Sequence, residues 1–145
     1  MSRLLAIDYG KKRSGVAVSD PLQLIAGGLD TIATGELSKF IMAYLEREDV
    51  ERIIIGMPTQ TDGTPSENAR RVSEFISYLR KRISIPVICW DERFTSVLAH
   101  KTMLDSGLKK KARQNKALVD KISATIILQS YMDSERIAKE HKVNN

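Results

Sequence analysis

The sequence predicts a mixed α/β fold, with helices on both faces of one sheet. Three observations carry that reading. Leu4-Leu5-Ala6-Ile7 and Ile53-Ile54-Ile55 are continuous apolar runs, the pattern of strands buried on both faces. Other segments carry apolar residues spaced by three and four, which marks amphipathic helices. The elements run as three strands, then helix–strand–helix–strand–helix–helix.

Leu4 to Ile7 is the first strand, and Asp8-Tyr9-Gly10 ends it. The polar turn Lys11-Lys12-Arg13 leads into Gly15-Val16-Ala17-Val18, which completes a hairpin. Leu29 to Ala33 follows the Gly27-Gly28 turn as a third strand. Thr34 is placed to cap a helix bearing Leu37, Phe40, Ile41, Tyr44 and Leu45. Arg52 to Gly56 is the fourth strand. Thr64-Pro65-Ser66-Glu67 has a cap residue, a first-turn proline and a glutamate that together start a helix. Its buried face is Ala69, Val72, Phe75, Ile76 and Leu79. Pro86 to Trp90 forms the fifth strand, with Asp91-Glu92-Arg93 at its end. Thr95 to Asp105 reads as a helix that stops at Gly107. A last helix runs from about Gln114 to Asp133, with Ala117, Ile122, Ala124, Ile127, Leu128 and Tyr131 inward. Cys89 reads as inert core.

The 145 residues suit one domain, residues 1–133, followed by a polar C-terminal tail, 134–145. No apolar run approaches the ~20 residues that span a bilayer, so no membrane partner is expected. Met1-Ser2-Arg3 carries no leader cleavage pattern. A single cysteine excludes a disulfide framework and a cysteine zinc cluster. The expected compartment is the reducing cytoplasm. Lys and Arg number 23 against 18 Asp and Glu, a net charge of +5. The basic residues cluster, at Lys11-Lys12-Arg13 and at Lys109, Lys110, Lys111, Arg113 and Lys116. Such clusters suit a polyanionic partner, although a charge run is commonly just a solvated loop.

Acidic residues tied to apolar elements are the candidates for chemistry. Asp8 ends the first strand, and Asp91 and Glu92 end the fifth; sites in open α/β sheets form outside strand carboxyl ends. Asp120 lies between Ala117 and Ala124, small residues that let a helix approach a sheet. Crowded carboxylates repel one another, and a divalent cation resolves the conflict. Oxygen ligands without His or Cys select Mg²⁺ or Mn²⁺. Such an ion activates water and offsets charge on a phosphate. Carboxylates for a metal and lysines for a backbone make a phosphodiesterase. Taken singly, each acid has a plainer reading. Asp8 or Asp91 could cap a turn, Glu92 could pair with Arg93, and Asp120 could pair with Lys116 or Lys121.

Four segments, in order, resemble the YqgF (RuvX) family. They are Asp8 to Asp20; Gly56-Met57-Pro58 with Asp62-Gly63; Asp91 to Ser96; and Val119 to Ala124, continued by Ile127 to Tyr131. The resemblance implies an RNase H-like fold with a five-stranded mixed sheet. It implies a nuclease linked to the 5′ end of the 16S ribosomal RNA precursor. Holliday-junction resolution, by analogy with RuvC, or RNA binding without catalysis in ribosome assembly are the alternatives. The implied catalytic acids are Asp8, Glu92 and Asp120, with Asp91 as a further metal ligand for Mg²⁺ or Mn²⁺. Lys11, Lys12, Arg13, Arg93, Lys109, Lys110, Lys111 and Arg113 would hold the backbone of structured RNA or branched DNA. The chain would act as a monomer or homodimer.

Two positions depart from the RuvC pattern. RuvC carries its second acid at the end of the fourth strand, where this chain has Gly56-Met57-Pro58. Ser123 stands one turn after Asp120, where RuvC has another acid. In an RNase H strand order the fifth strand lies two strands from the first, roughly 10 Å at the backbone.

Overall fold

The computed structural model describes residues 2–58, 67–91 and 115–144. Five strands form one sheet in the order β3-β2-β1-β4-β5. They are β1 (Arg3–Asp8), β2 (Arg13–Ser19), β3 (Ala26–Ala33), β4 (Val50–Met57) and β5 (Val87–Asp91). β1, β2 and β3 form an antiparallel meander, while β4 and β5 join parallel to β1. Three helices are described: α1 (Leu37–Arg47), α2 (Glu67–Arg80) and α3 (Lys116–Asn144). The predicted helix start at Thr64-Pro65-Ser66, the Asp62-Gly63 turn, the helix from Thr95 to Asp105 and the basic loop lie outside the described residues.

Helices cover both faces, as expected. Alternation along β1 divides the core in two. Leu5 and Ile7 pack with Leu37, Ile41, Val72, Ile76 and Leu79 beneath α1 and α2. Leu4 and Ala6 pack with Ala124, Ile127, Leu128 and Tyr131 beneath α3. The continuous apolar runs thus sit in the two central strands, where neither face meets water. Each fully buried Leu or Ile contributes about 1.5–3 kcal/mol.

Three features depart from the sequence reading. Thr34 does not cap α1. It lies in a 3₁₀ turn, Thr34–Glu36, that precedes the helix without a side-chain cap. Its hydroxyl instead donates to the Gly10 carbonyl at 2.7 Å. The last helix passes Asp133 and runs to Asn144. Glu135, assigned to the tail, pairs with Arg52 of β4 and accepts from the Tyr131 hydroxyl. Cys89 is exposed rather than core, because β5 is an edge strand.

β3 also begins earlier than expected, at Ala26. The loop before it is rigid. The Asp20 carboxylate accepts the Leu22, Leu24 and Ile25 amides at 3.1, 2.7 and 2.7 Å. These bonds, the Ile25 amide foremost, hold Asp20 below the usual carboxylate range.

Candidate active site

The site is built where β1 and β2 meet. Beyond Asp8 the chain turns back through Gly10, and a closed ring of hydrogen bonds fixes the turn. The Gly10 amide donates to Ser14 Oγ at 3.3 Å. Ser14 and Thr34 hydroxyls lie 2.9 Å apart, and Thr34 returns its proton to the Gly10 carbonyl. Ser14 is fully buried, so an unpaired hydroxyl there would cost on the order of 1–3 kcal/mol. Asn68 of α2 donates to the Tyr9 carbonyl at 3.0 Å and ties the turn to the second layer. The Tyr9 ring packs on Phe75, with centroids 4.9 Å apart. Burial pushes the Tyr9 hydroxyl pKa up, against the opposing charge of Arg71.

Register brings the first and last acids together. Asp8 is paired with Gly15 across the β1–β2 ladder. Directly opposed residues of an antiparallel pair share a face. A Cβ on Gly15 would collide with the Asp120 carbonyl, so Gly15 is where α3 lies against the sheet. Farther along α3, a Cβ on Gly28 would come within 2.6 Å of Lys121 Cγ. Small residues at 15, 17 and 28 therefore set the depth of the helix. Asp120 consequently sits on the same face and at the same end of the sheet as Asp8. The Arg13 Nε donates to Asp120 Oδ2 at 2.9 Å. Arg13 had been assigned to a nucleic-acid backbone, and here it holds a carboxylate.

Asp91 has the opposite orientation. Ile88 and Trp90 pack beneath α3, whereas Val87 belongs to the α1/α2 face. Alternation puts Cys89 and Asp91 with Val87. The charge on Asp91 acts with burial, the larger cause, to raise the Cys89 thiol pKa, and Arg80 of α2 opposes them. β4 separates β5 from β1. Among the described residues no group of three or more His, Cys, Asp or Glu is gathered closely enough to hold a metal. Asp91 is thus not assembled with Asp8 and Asp120. Glu92, Arg93, Lys109, Lys110, Lys111 and Arg113 lie outside the described residues. Lys11 and Lys12 are exposed on the turn.

The sequence reading missed Gly15 and Ser14. The available signal was a glycine inside an otherwise apolar strand, which marks close approach of another backbone. Among the described residues no helix is long and apolar enough to cross a membrane.

A chain from Phocaeicola vulgatus named "Putative pre-16S rRNA nuclease" is 64% identical over 137 residues, covering 94% of this chain and 99% of that one. A Bacteroides thetaiotaomicron protein of the same name is 62% identical over 137 residues, with the same coverage. Among solved structures, the fowlpox virus Holliday junction resolvase superposes with a TM-score of 0.52 at 16% identity. It covers 91% of this chain and 99% of its own, and the shared fold is the RNase H-like one. The family model described as "RuvX: Holliday junction resolvase" matches residues 2–134, and the chain belongs to that family.

Proposed function

We propose that this chain is a divalent-metal-dependent nuclease that hydrolyses phosphodiester bonds in precursor 16S ribosomal RNA. One observation carries the reading: Gly15 lets α3 lie so close to β2 that Asp120 shares the face and end of the sheet held by Asp8. The names of the relatives point to the substrate. Glu92 is the proposed third acid, on the resemblance carried by Asp91 to Ser96. Asp8, Glu92 and Asp120 offer only hard oxygen donors, which fits Mg²⁺ or Mn²⁺. When bound, such an ion activates water and offsets the charge on the phosphate under attack.

The chain's own residues supply position and charge. The Gly10–Ser14–Thr34 ring keeps the carboxyl end of β1 in place. Lys11 and Lys12 present exposed ammonium groups for phosphates, and Arg93, Lys109, Lys110, Lys111 and Arg113 are the further cations proposed to hold the backbone. Phosphate contacts carry no sequence information, so substrate shape supplies the specificity. The protein would act in the cytoplasm, as a monomer or homodimer. The family description and the viral resolvase fold favour a second reading, cleavage of branched DNA.

The test is a side-by-side assay with Mn²⁺. Wild type and Asp8→Asn are offered a 16S precursor fragment and a four-way DNA junction. Cleavage of the RNA by wild type alone is expected. Cleavage of the junction alone would favour the second reading. RNA binding without divalent metal or cleavage would leave an assembly factor.

A further inference from the structure

We propose that Arg13 guards the cation site, occupying Asp120 until metal and phosphate arrive together, so that metal and nucleic acid bind cooperatively. The inference rests on the reading of Asp8 and Asp120 as metal ligands. It concerns Arg13, which the sequence analysis assigned to the substrate alone.

Arg13 opens β2, and its Nε donates to Asp120 Oδ2 at 2.9 Å. The two side chains are 38% and 25% exposed, so the pair is reachable by solvent. Among the described residues, Arg13 bonds through Nε alone, and neither Nη has a partner. A guanidinium carries five donors in a fixed fork suited to two phosphate oxygens. Among the described residues, most of that capacity is unspent. The turn beside it carries Lys11 and Lys12, both exposed, so a phosphate near Arg13 meets three cationic groups.

Asp120 shares its face and end with Asp8, and like charges placed together repel. A cation at Asp120 relieves that repulsion, and Arg13 supplies one. A metal ion seeking the same carboxylate must therefore compete with the guanidinium. Once the metal takes the charge of Asp120, the Arg13 fork is released toward a phosphate oxygen. Phosphate in turn draws Arg13 away and frees Asp120 for the metal. By linkage each ligand then strengthens the other by the same factor. Such coupling limits metal uptake in the absence of substrate.

Calorimetric titration of Mn²⁺ into the full chain tests this. The proteins are wild type, Arg13→Ala, Arg13→Gln and Lys12→Ala, each with and without a phosphorothioate-substituted 16S precursor fragment. Without RNA, both Arg13 variants should bind Mn²⁺ about five-fold more tightly, the factor that roughly 1 kcal/mol of ion pairing corresponds to. Lys12→Ala removes the same charge from the same turn without breaking the pair, and should change affinity by less than about two-fold. With RNA, wild type should gain a similar factor, and the Arg13 variants should lose most of that gain. Unchanged or weaker Mn²⁺ binding in both Arg13 variants would overturn the proposal, as would an equal gain in Lys12→Ala. Circular dichroism accompanies each titration. If both Arg13 variants fail to fold, the pair is a tether and the proposal is wrong. Absence of Mn²⁺ binding in all four proteins would instead remove the metal site itself, and this inference with it.

Discussion

Helix α3 is fastened to the sheet by two arginine–carboxylate pairs, one near each end, and they are built differently. At the carboxyl end of β1, Arg13 reaches Asp120 through Nε, the one bond its side chain makes among the described residues. At the opposite end, Arg52 makes three bonds. It donates to Glu135, to the Tyr131 hydroxyl at 2.7 Å and to Glu51 at 3.2 Å. It also lies over the Tyr131 ring, 5.7 Å from the centroid. Tyr131 passes a bond on to Glu135 at 2.8 Å and meets Trp90 edge-on. Fifteen residues of helix, about 22 Å, separate the two carboxylates. One pair belongs to a network of three bonds and a ring contact, while the other rests on a single bond among the described residues.

Four substitutions or conditions test that contrast. Asp8→Asn should have the largest effect. It should lower nuclease activity by at least about 100-fold, the upper range for groups that merely support a metal ligand. Substrate affinity should stay within about three-fold, because phosphate contacts set it. Single-turnover cleavage and filter binding measure the two quantities. Gly15→Ala comes next. Its Cβ collides with backbone on α3 and has no flexible neighbour to displace. It should cost about 3 kcal/mol in chemical unfolding and lower activity too, since Asp120 moves with the helix. Arg52→Ala should cost about 2 kcal/mol, or about 4–8 °C in Tm, while leaving turnover per folded molecule near wild type. A large turnover loss there would erase the distinction between the two ends.

Acid should have the smallest effect. Burial favours the neutral form of Glu135, but bonds from Arg52 and Tyr131 outweigh it and hold the group below its ordinary value of 4.5. Glu51 is lowered too, by Gln23 and then Arg52. A lowered folded pKa gives stability that is fully present above the unfolded value and is lost as pH falls through the folded one. Tm should therefore fall below about pH 4.5, and Glu135→Gln should flatten that fall. Burial and the bond to Glu135 push Tyr131 up to about 12, so this hydroxyl stays protonated throughout. A Glu135→Gln profile as steep as wild type would remove the Arg52–Glu135 pair from the acid response.

The sequence made the central strands legible because Leu4 to Ile7 of β1 and Ile53 to Ile55 of β4 are wholly apolar and buried on both faces. Edges were less legible. Ala26 and Gly27 have poor strand character and are strand only through pairing with Ser19 and Val18. Thr34 looked like a helix cap, because a threonine before an apolar stripe has that pattern. Its true partner, Gly10, is distant in sequence and only the hairpin brings it near. Glu135 looked like tail because it follows the last apolar position of the helix, and Arg52 on another element holds it. The acids themselves were visible as residues at strand ends and on a small-residue helix face. The approach of Asp120 to the sheet was expected from its own helix face, but the residue that permits it, Gly15 on β2, was not singled out. Pattern alone also left the face of Asp91 open, and alternation along β5 puts it with Val87.

Asp8 and Asp120, from the two ends of the chain, are proposed to share one cation. Mn²⁺ electron paramagnetic resonance on wild type, Asp8→Asn and Asp120→Asn is the decisive test. Loss of the bound-ion signal in each single variant, with folding intact, is the predicted result. Wild-type Mn²⁺ binding in either variant would contradict it.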